Sequence, residues 1–233
     1  MRKINNIFTA VFITATCVSG AQAADLWQDY PPVIDKPGQT TDWSGFYAGV
    51  FAGYGGGRAT STGVVSGNVT DVDVRGGLLG ATVGANAQFD NFVLGLEGDL
   101  AWTDVNGSAT CVGNPTFDCN GTLNWLGSGK LRGGMAFDSL LLFGTAGVAA
   151  GGITASVNPV PGGATGSFSS TVWGWTVGAG AEYAVSDAIS VKAEYSYYDF
   201  ASVNAPINTI ATGGSTDIKS NAHVAKLGLN YRF

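Results

Sequence analysis

Hydrophobic and polar residues alternate with a period of two along most of the chain. Eight segments from Trp43 onward show this alternation, and none shows the 3.6-residue period of an amphipathic helix. A period of two predicts β-strands, because successive side chains of a strand point to opposite faces of the sheet. The predicted strands are residues 43–55, 74–89, 92–103, 122–137, 140–154, 171–185, 189–200 and 218–233.

The connections between these strands alternate between short and long. Tight turns are predicted at Asp90-Asn91, Asp138-Ser139 and 186–188. The long connections are rich in Gly, Ser, Thr and Asn and cover residues 56–73, 104–121, 155–170 and 201–217. Short turns on one side and long loops on the other are typical of up-and-down outer-membrane barrels. The pattern therefore predicts an all-β fold, an eight-stranded antiparallel up-and-down transmembrane β-barrel.

Charged residues within the predicted strands occupy one face only. Glu97 and Asp99, for example, alternate with Leu96, Gly98 and Leu100. A cation on the lipid-facing side at mid-bilayer costs about 2 to 4 kcal/mol, so a membrane barrel requires this segregation. The predicted lumen charges are Glu97, Asp99, Lys130, Arg132, Glu182, Lys192, Glu194, Lys226 and Arg232. On the second predicted strand Arg75 is the exception, because it falls on the apolar face at a loop end beside Gly76-Gly77, where a bulge could reverse the register.

The apolar faces begin and end in aromatic residues. Their separation matches the 9 to 11 tilted residues that one membrane crossing needs, which places rings at both interfaces. The predicted aromatic girdle is Phe92, Trp102, Trp125, Phe137, Trp173, Tyr183 and Tyr231. Parity alone would also allow a soluble barrel with an apolar ligand cavity. The interfacial aromatics and the C-terminal Phe233 favour the membrane barrel.

Composition narrows the class of protein further. The chain has 233 residues, 36 of them glycine, and only 12% are charged, with a net charge of −6. A soluble α/β domain is richer in charge and poorer in glycine. The negative charge disfavours a nucleic-acid-binding protein.

The N-terminus carries the features of an export signal. Arg2 and Lys3 precede an apolar stretch, and Ala21-Gln22-Ala23 forms a cleavage site, which predicts a signal peptide over 1–23. Residues 24–42 contain three prolines and no period, so we expect a periplasmic linker there and a barrel domain over 43–233.

Two cysteines remain after removal of the signal peptide. Cys111 and Cys119 would lie in an oxidising compartment, where such a pair forms a disulfide in preference to a metal site.

Several stretches resemble one family. GWTVGAGAEY (174–183), KAEYSYYDF (192–200) and the ending KLGLNYRF (226–233) are similar to small outer-membrane β-barrel surface proteins of alphaproteobacteria. Members are described as surface antigens, porin-family proteins or haem-binding proteins. The resemblance implies an eight-stranded barrel in the bacterial cell outer membrane, and it implies no single activity.

The lumen charges allow two interpretations. Four acids and five bases in a narrow lumen should mostly pair, because an isolated buried charge is strongly unfavourable. A static polar plug implies a structural, envelope-stabilising protein with a surface-exposed interaction role. Pairs that rearrange would instead form the gate of a narrow channel for small solutes or ions. A third hypothesis is that the surface binds a ligand, either haem or a host molecule.

The sequence predicts neither an enzyme nor a cofactor or metal site. His223 is the only histidine, which rules out a multi-histidine metal site and a local catalytic triad. Phe233, at the end of the last strand, resembles the signal that the barrel-assembly machinery recognises. The expected partners are that machinery, outer-membrane lipids and lipopolysaccharide, and a host or small-molecule ligand at the loops. No nucleic-acid partner is expected.

Overall fold

A computed structural model describes residues 41–63, 67, 69–111, 117–159, 166–205 and 216–233. The predicted signal peptide (1–23) and all but the last two residues of the predicted linker (24–42) lie outside the described residues. Within the described part of the chain, no helix is long and apolar enough to cross a membrane.

Eight antiparallel strands close into one barrel, which confirms the predicted fold class. Each strand pairs with its neighbours in chain order, and the first pairs with the last. The strands are β1 (Gly45–Gly63), β2 (Val69–Phe89), β3 (Phe92–Thr110), β4 (Phe117–Phe137), β5 (Leu140–Pro159), β6 (Gly166–Ala184), β7 (Ile189–Ala205) and β8 (Thr216–Arg232).

The short turns lie where the sequence predicts them. Asp90 and Asp138 begin the two-residue turns with φ of 53° and 51°. Two-residue hairpin turns commonly need a positive φ, which Asp tolerates better than most residues. At the opposite end, β1 to β7 continue five to eight residues, and β8 two residues, into segments that the sequence analysis assigned to loops. Gly, Ser, Thr and Asn give a weak strand signal, and pairing with the neighbouring strands outweighs it there.

A β-bulge reverses the side-chain parity of β4 near its upper end, where "upper" means the long-loop side, while β3 keeps its parity, with Ala101 and Val105 both buried. The register shifts between Trp102 and Val105 on β3 and between Leu123 and Trp125 on β4. With Trp125 outward and Lys130 inward, strict alternation predicts Leu123 outside and Asn124 inside, and this prediction is wrong. Leu123 is buried in the lumen and Asn124 is exposed, because a bulge inserts one extra residue.

Arg75 keeps its outward position without a bulge. Its register with β1 is continuous, and its side chain is exposed. The suggested reversal at Gly76-Gly77 is therefore wrong.

The barrel wall opens at its upper end between β6 and β7. These strands pair only up to Gly174 and Phe200. Above that level, residues 166–173 pair with β5, and residues 203–205 pair with β8. β7 has a register shift between Phe200 and Val203, and a bulge of this kind bends a strand away from its neighbour.

Candidate functional site in the lumen

The structure places all nine predicted lumen charges inside the barrel. Eight of these residues are buried, and the side chain of the ninth, Asp99, is only 4% exposed. Alternation along the strands brings them there from β3, β4, β6, β7 and β8. They lie at the level of the outer apolar belt, the band of exposed apolar side chains that runs, for example, from Phe46 to Tyr54 on β1 and from Leu79 to Phe89 on β2.

Lys130 is the centre of the charged layer. Its Nζ lies 2.8 Å from Glu97 Oε1, 2.8 Å from Asp99 Oδ2 and 2.7 Å from Glu194 Oε1. Glu97 is its direct register partner across β3 and β4, whereas Glu194 comes from the other side of the barrel. One ammonium group thus joins two opposite walls.

Two further lysines complete the same cluster. Lys226 Nζ lies 2.8 Å from Asp99 and 3.3 Å from Glu194. Lys192 Nζ lies 2.8 Å from Glu97 and 3.5 Å from Glu194. Glu97 and Asp99 therefore contact two lysines each and Glu194 contacts all three, so no member can leave without breaking several contacts.

Arg132 and Glu182 form the lower part of the charged layer. Their side chains make a direct ion pair, and Glu182 also accepts hydrogen bonds from Ser190 Oγ (2.5 Å) and Asn230 Nδ2 (2.8 Å). Arg132 lies over the ring of Phe143 at 3.9 Å and reaches Glu97 at 3.7 Å. This reach connects the pair to the lysine cluster.

Charge is balanced within this connected network. Four acids (Glu97, Asp99, Glu182, Glu194) meet four bases (Lys130, Arg132, Lys192, Lys226).

Arg232, the ninth predicted charge, lies apart from the network. It donates to the backbone carbonyls of Ser186 and Asp187 at 2.9 Å each and lies over the ring of Trp43. At this short-turn end, the Ser44 N–H donates to Asp42 and lowers the pKa of that carboxyl.

Apolar layers lie below and above the network. The lower layer contains Trp43, Leu141 and Phe143 among its buried residues. The larger upper layer begins within the outer apolar belt, at Phe51, and continues past it to Phe200 towards the long-loop end. The described residues therefore fill the lumen at three successive levels.

A small cavity remains beside the charged layer. It measures about 10 Å³ and is bordered by Asp99, Ser128 and Lys226. This volume is close to that needed for one water molecule.

A metal ion would have to compete with the lysines. The carboxylates of Glu97, Asp99 and Glu194 approach one another within 4.8 Å and could together hold a cation. The ammonium groups of Lys130, Lys192 and Lys226 already contact these oxygens.

Inward aromatic residues were missed by the sequence analysis. Tyr47, whose hydroxyl donates to Glu97 at 2.7 Å, and Tyr198 and Phe200 are all buried inside. The alternation along β7 could have revealed two of them, since Tyr198 and Phe200 fall on the same face of the strand as Lys192 and Glu194. The Tyr47 ring can lie against the backbone of β2 because residue 84 is glycine, since a Cβ on Gly84 would lie 2.3 Å from the ring.

The predicted girdle residues lie on the outer surface. Six are exposed: Phe92, Trp102, Phe137, Trp173, Tyr183 and Tyr231. Trp125 is half-buried, with its indole lying where a side chain on Gly152 would be. Phe233 is 78% exposed, its N–H donates to Phe46 O, and its ring packs edge-on against Tyr231.

Two other predicted features lie towards the long-loop end. Cys111 and Cys119 form a disulfide between the upper ends of β3 and β4. His223 faces outward on β8, shares a 2.8 Å hydrogen bond with Tyr195 Oη, and packs on the Tyr197 ring.

Comparison with known proteins identifies the family. Residues 8–233 match the family described as outer membrane protein beta-barrel domain. The chain belongs to this family, and it is an outer-membrane β-barrel protein.

Two relatives and one solved structure show the range of similarity. The chain is 33% identical to the 31 kDa outer-membrane immunogenic protein of Brucella melitensis, covering 95% of this chain and 97% of that protein. It is 29% identical to the 25 kDa outer-membrane immunogenic protein of Brucella canis, over 91% of each chain. The structure of OprG from Pseudomonas aeruginosa is 14% identical, with a TM-score of 0.48, covering 82% of this chain and 96% of that one.

Proposed function

We propose that this protein is a closed outer-membrane anchor that stabilises the envelope and presents a β-structured surface outside the cell. The filled lumen carries the proposal, since the charged network occupies the level of the membrane and apolar layers lie on both sides of it. An eight-stranded barrel has an interior just wide enough for side chains.

Energetics also favour a closed lumen. Removing one partner of a buried ion pair costs about 3 to 5 kcal/mol, because the other charge is left unpaired. Lys130 alone contacts three carboxylates, so its displacement would expose several charges together. Spontaneous opening to pass solutes would therefore be rare.

The upper barrel is suited to surface presentation. Its strands extend beyond the outer apolar belt around a buried apolar interior, and the Cys111–Cys119 disulfide links two of them. The relatives named as outer-membrane immunogenic proteins support surface exposure. The same geometry supports a non-enzymatic role, because the described lumen carboxylates are held in ion pairs and His223 faces outward.

Deletion of the gene in its own host tests this proposal against the channel alternative. We expect greater sensitivity to detergent and unchanged entry of a small hydrophilic solute, both restored by the intact chain. Slower solute entry with unchanged detergent sensitivity would favour the channel. In that case Lys130→Ala or Arg132→Ala should raise conductance.

A further inference from the structure

The opening between β6 and β7 leaves part of β6 without a partner on one side. Below the opening, the two strands pair with a constant register up to Gly174 and Phe200. The same register would place residues 201–205 opposite residues 169–173, and the structure describes all of these residues. None of them pairs across the opening, so residues 169–173 pair with β5 alone. This segment is the free edge of β6.

The backbone groups of β6 point alternately to its two neighbours. The Ala184 N–H donates to Ser139 O, immediately before β5. β6 has no register shift with either neighbour, so its even-numbered residues direct their N–H and C=O groups to β5 and its odd-numbered residues direct theirs to β7. Ser169, Thr171 and Trp173 therefore direct their N–H and C=O groups into the opening.

A bulge in β7 turns the expected partner groups away from this edge. The register of β7 with β8 shifts between Phe200 and Val203. Even-numbered residues of β8 direct their N–H groups to β7, as Arg232 does to Ala188 O. Val203 is the partner of Ile218, so its N–H and C=O groups point to β8. Without the bulge, an odd-numbered residue of β7 would point to β6.

The free edge lacks the features that protect exposed edges. Residues 166–173 read GSFSSTVW and contain neither a charged residue nor a proline. Charged side chains and proline are common means by which edge strands avoid pairing with other chains. The sequence of this segment therefore permits an added strand.

The opposite wall of the barrel differs in both respects. β2 and β3 also lose regular pairing above Arg75 and Asn106. Their backbones stay in contact there, because a Cβ on Gly107 would lie 2.0 Å from Asp73 O. Asp71 and Asp73 also place two charges on that part of β2. An added strand would find neither space nor an uncharged edge at this position.

The position of the free edge within the wall limits what can reach it. β7 remains paired with β8 beside the opening, through Val203 and Ala205. A second copy of this chain would bring a whole barrel wall to the edge. A single extended strand needs only about 4.8 Å beside β6, so it is the element that fits.

The two faces of β6 define the side chains that this strand should carry. Val172 is buried in the upper apolar layer, whereas Ser169 and Thr171 face outside. Directly opposed residues of an antiparallel pair lie on the same face of the sheet. Alternate side chains of an added strand would therefore lie beside Val172 and be apolar, and the others would lie beside the two hydroxyl groups and be polar.

We propose that the free edge of β6 binds an extended, alternating segment of another polypeptide by β-strand addition. Its three odd-numbered residues offer three N–H and three C=O groups, and main-chain hydrogen bonds of this kind provide the affinity in strand addition. Ser170 Oγ lies 3.5 Å from Thr171 O, which is longer than an ordinary hydrogen bond between these atoms. The inference rests on the proposed function, which places the upper barrel outside the cell, and it adds the class of partner.

NMR amide exchange of the refolded chain 24–233 in detergent tests the proposal. The probe is a synthetic peptide of about six residues, the length of an average strand, with alternating threonine and valine. N-methylation of its valines prevents self-pairing and leaves the threonine N–H groups free for β6. We expect the amides of Ser169, Thr171 and Trp173 to change from fast to slow exchange when this peptide is added. A peptide methylated at every residue should leave them fast.

Two variants of Thr171 separate backbone pairing from side-chain contact. Thr171→Pro removes the N–H that points into the opening and leaves the hydrogen bonds to β5 in place, whereas Thr171→Val keeps the N–H. We expect T171P to bind the peptide about tenfold more weakly than the wild type, and T171V to bind it equally well. The shifted gel migration of unboiled protein confirms folding for each variant.

Unchanged exchange of the three amides in the presence of the peptide would overturn the proposal. Equal binding of the fully methylated peptide, or equal binding by T171P, would also overturn it. Slow exchange without peptide that strengthens with protein concentration would show a second copy at the edge, which contradicts the proposed partner. Detergent sensitivity of the deletion strain tests the proposed function separately, so the two can fail independently.

Discussion

Glu97 and Lys130 lie directly opposite each other in the register of β3 and β4, and their charged atoms are 2.8 Å apart inside the barrel. The backbone ladder itself therefore fixes this ion pair. Glu194 reaches the same ammonium group from β7, so the charged network connects walls that are not neighbours in the sheet. The network thus fills the lumen and braces the barrel across its width.

Removing one charge from the network should destabilise the barrel strongly. Glu97→Gln leaves Lys130 and Lys192 undercompensated, and we expect the free energy of unfolding to fall by about 3 to 5 kcal/mol. Urea titration of tryptophan fluorescence in lipid vesicles measures it. E97Q/K192M restores neutrality and should recover a large part of the loss.

An exposed pair provides the matched control. Arg58 and Asp73 are largely exposed, at 56% and 79% for their side chains. Exposed pairs contribute little to stability, so Asp73→Asn should leave the free energy of unfolding almost unchanged. A loss for Glu97→Gln as small as for Asp73→Asn would contradict the bracing role.

Deletion of Phe233 should lower the amount of barrel in the outer membrane. In the folded protein its N–H donates to Phe46 O at 3.0 Å and its ring is 78% exposed, so its loss removes little from the folded state. We therefore expect normal refolding in vitro and reduced outer-membrane levels in cells.

Phe46→Ala is the comparison for this deletion, because Phe46 is similarly exposed at the same interface. Equal effects of the two changes in cells would indicate an aromatic girdle contribution. Normal outer-membrane levels of the truncated protein would refute the role of Phe233 as an assembly signal.

Loss of the disulfide should weaken the barrel moderately. The bridge closes a short loop between residues 111 and 119, and cross-links of this size stabilise by about 2 to 3 kcal/mol in the chain-entropy model. We expect the double variant C111S/C119S to unfold at lower urea with unchanged gel migration. Equal stability of reduced and oxidised wild-type protein would show that the loop ends are fixed without the bridge.

The opening between β6 and β7 should be visible in amide exchange. Residues 167–173 of β6 pair with β5 alone, and in an antiparallel pair successive residues direct their N–H groups to alternate sides. NMR exchange rates should therefore alternate between slow and fast along this segment. Residues 175–183, which pair on both sides, should be uniformly slow. Uniform protection of 167–173 would mean that the seam is closed.

The sequence predicts the barrel more completely than the contents of its upper half. Parity alone identifies the inward side of Lys130 and Glu194, because a charge cannot face lipid at mid-bilayer. This rule does not apply above the membrane, where the inner and the outer face of a strand can each carry polar or apolar residues. Phe200 ends a predicted strand, and neither its stacking with Tyr198 nor the extension of β7 beyond it follows from a local pattern.

Bulges mark a second limit of sequence reasoning. Leu123 faces inward because one extra residue interrupts the alternation of β4, and nothing in the residues around Asn124 encodes that insertion.

Single-channel current across a planar bilayer tests the closed lumen most directly. The sample is refolded chain whose closed barrel is confirmed by its migration on an unboiled gel. We expect no discrete current steps for the wild type, because the charged network and the two apolar layers fill the lumen. Reproducible, salt-dependent steps from wild-type protein, altered by Lys130→Ala, would contradict the closed-anchor account.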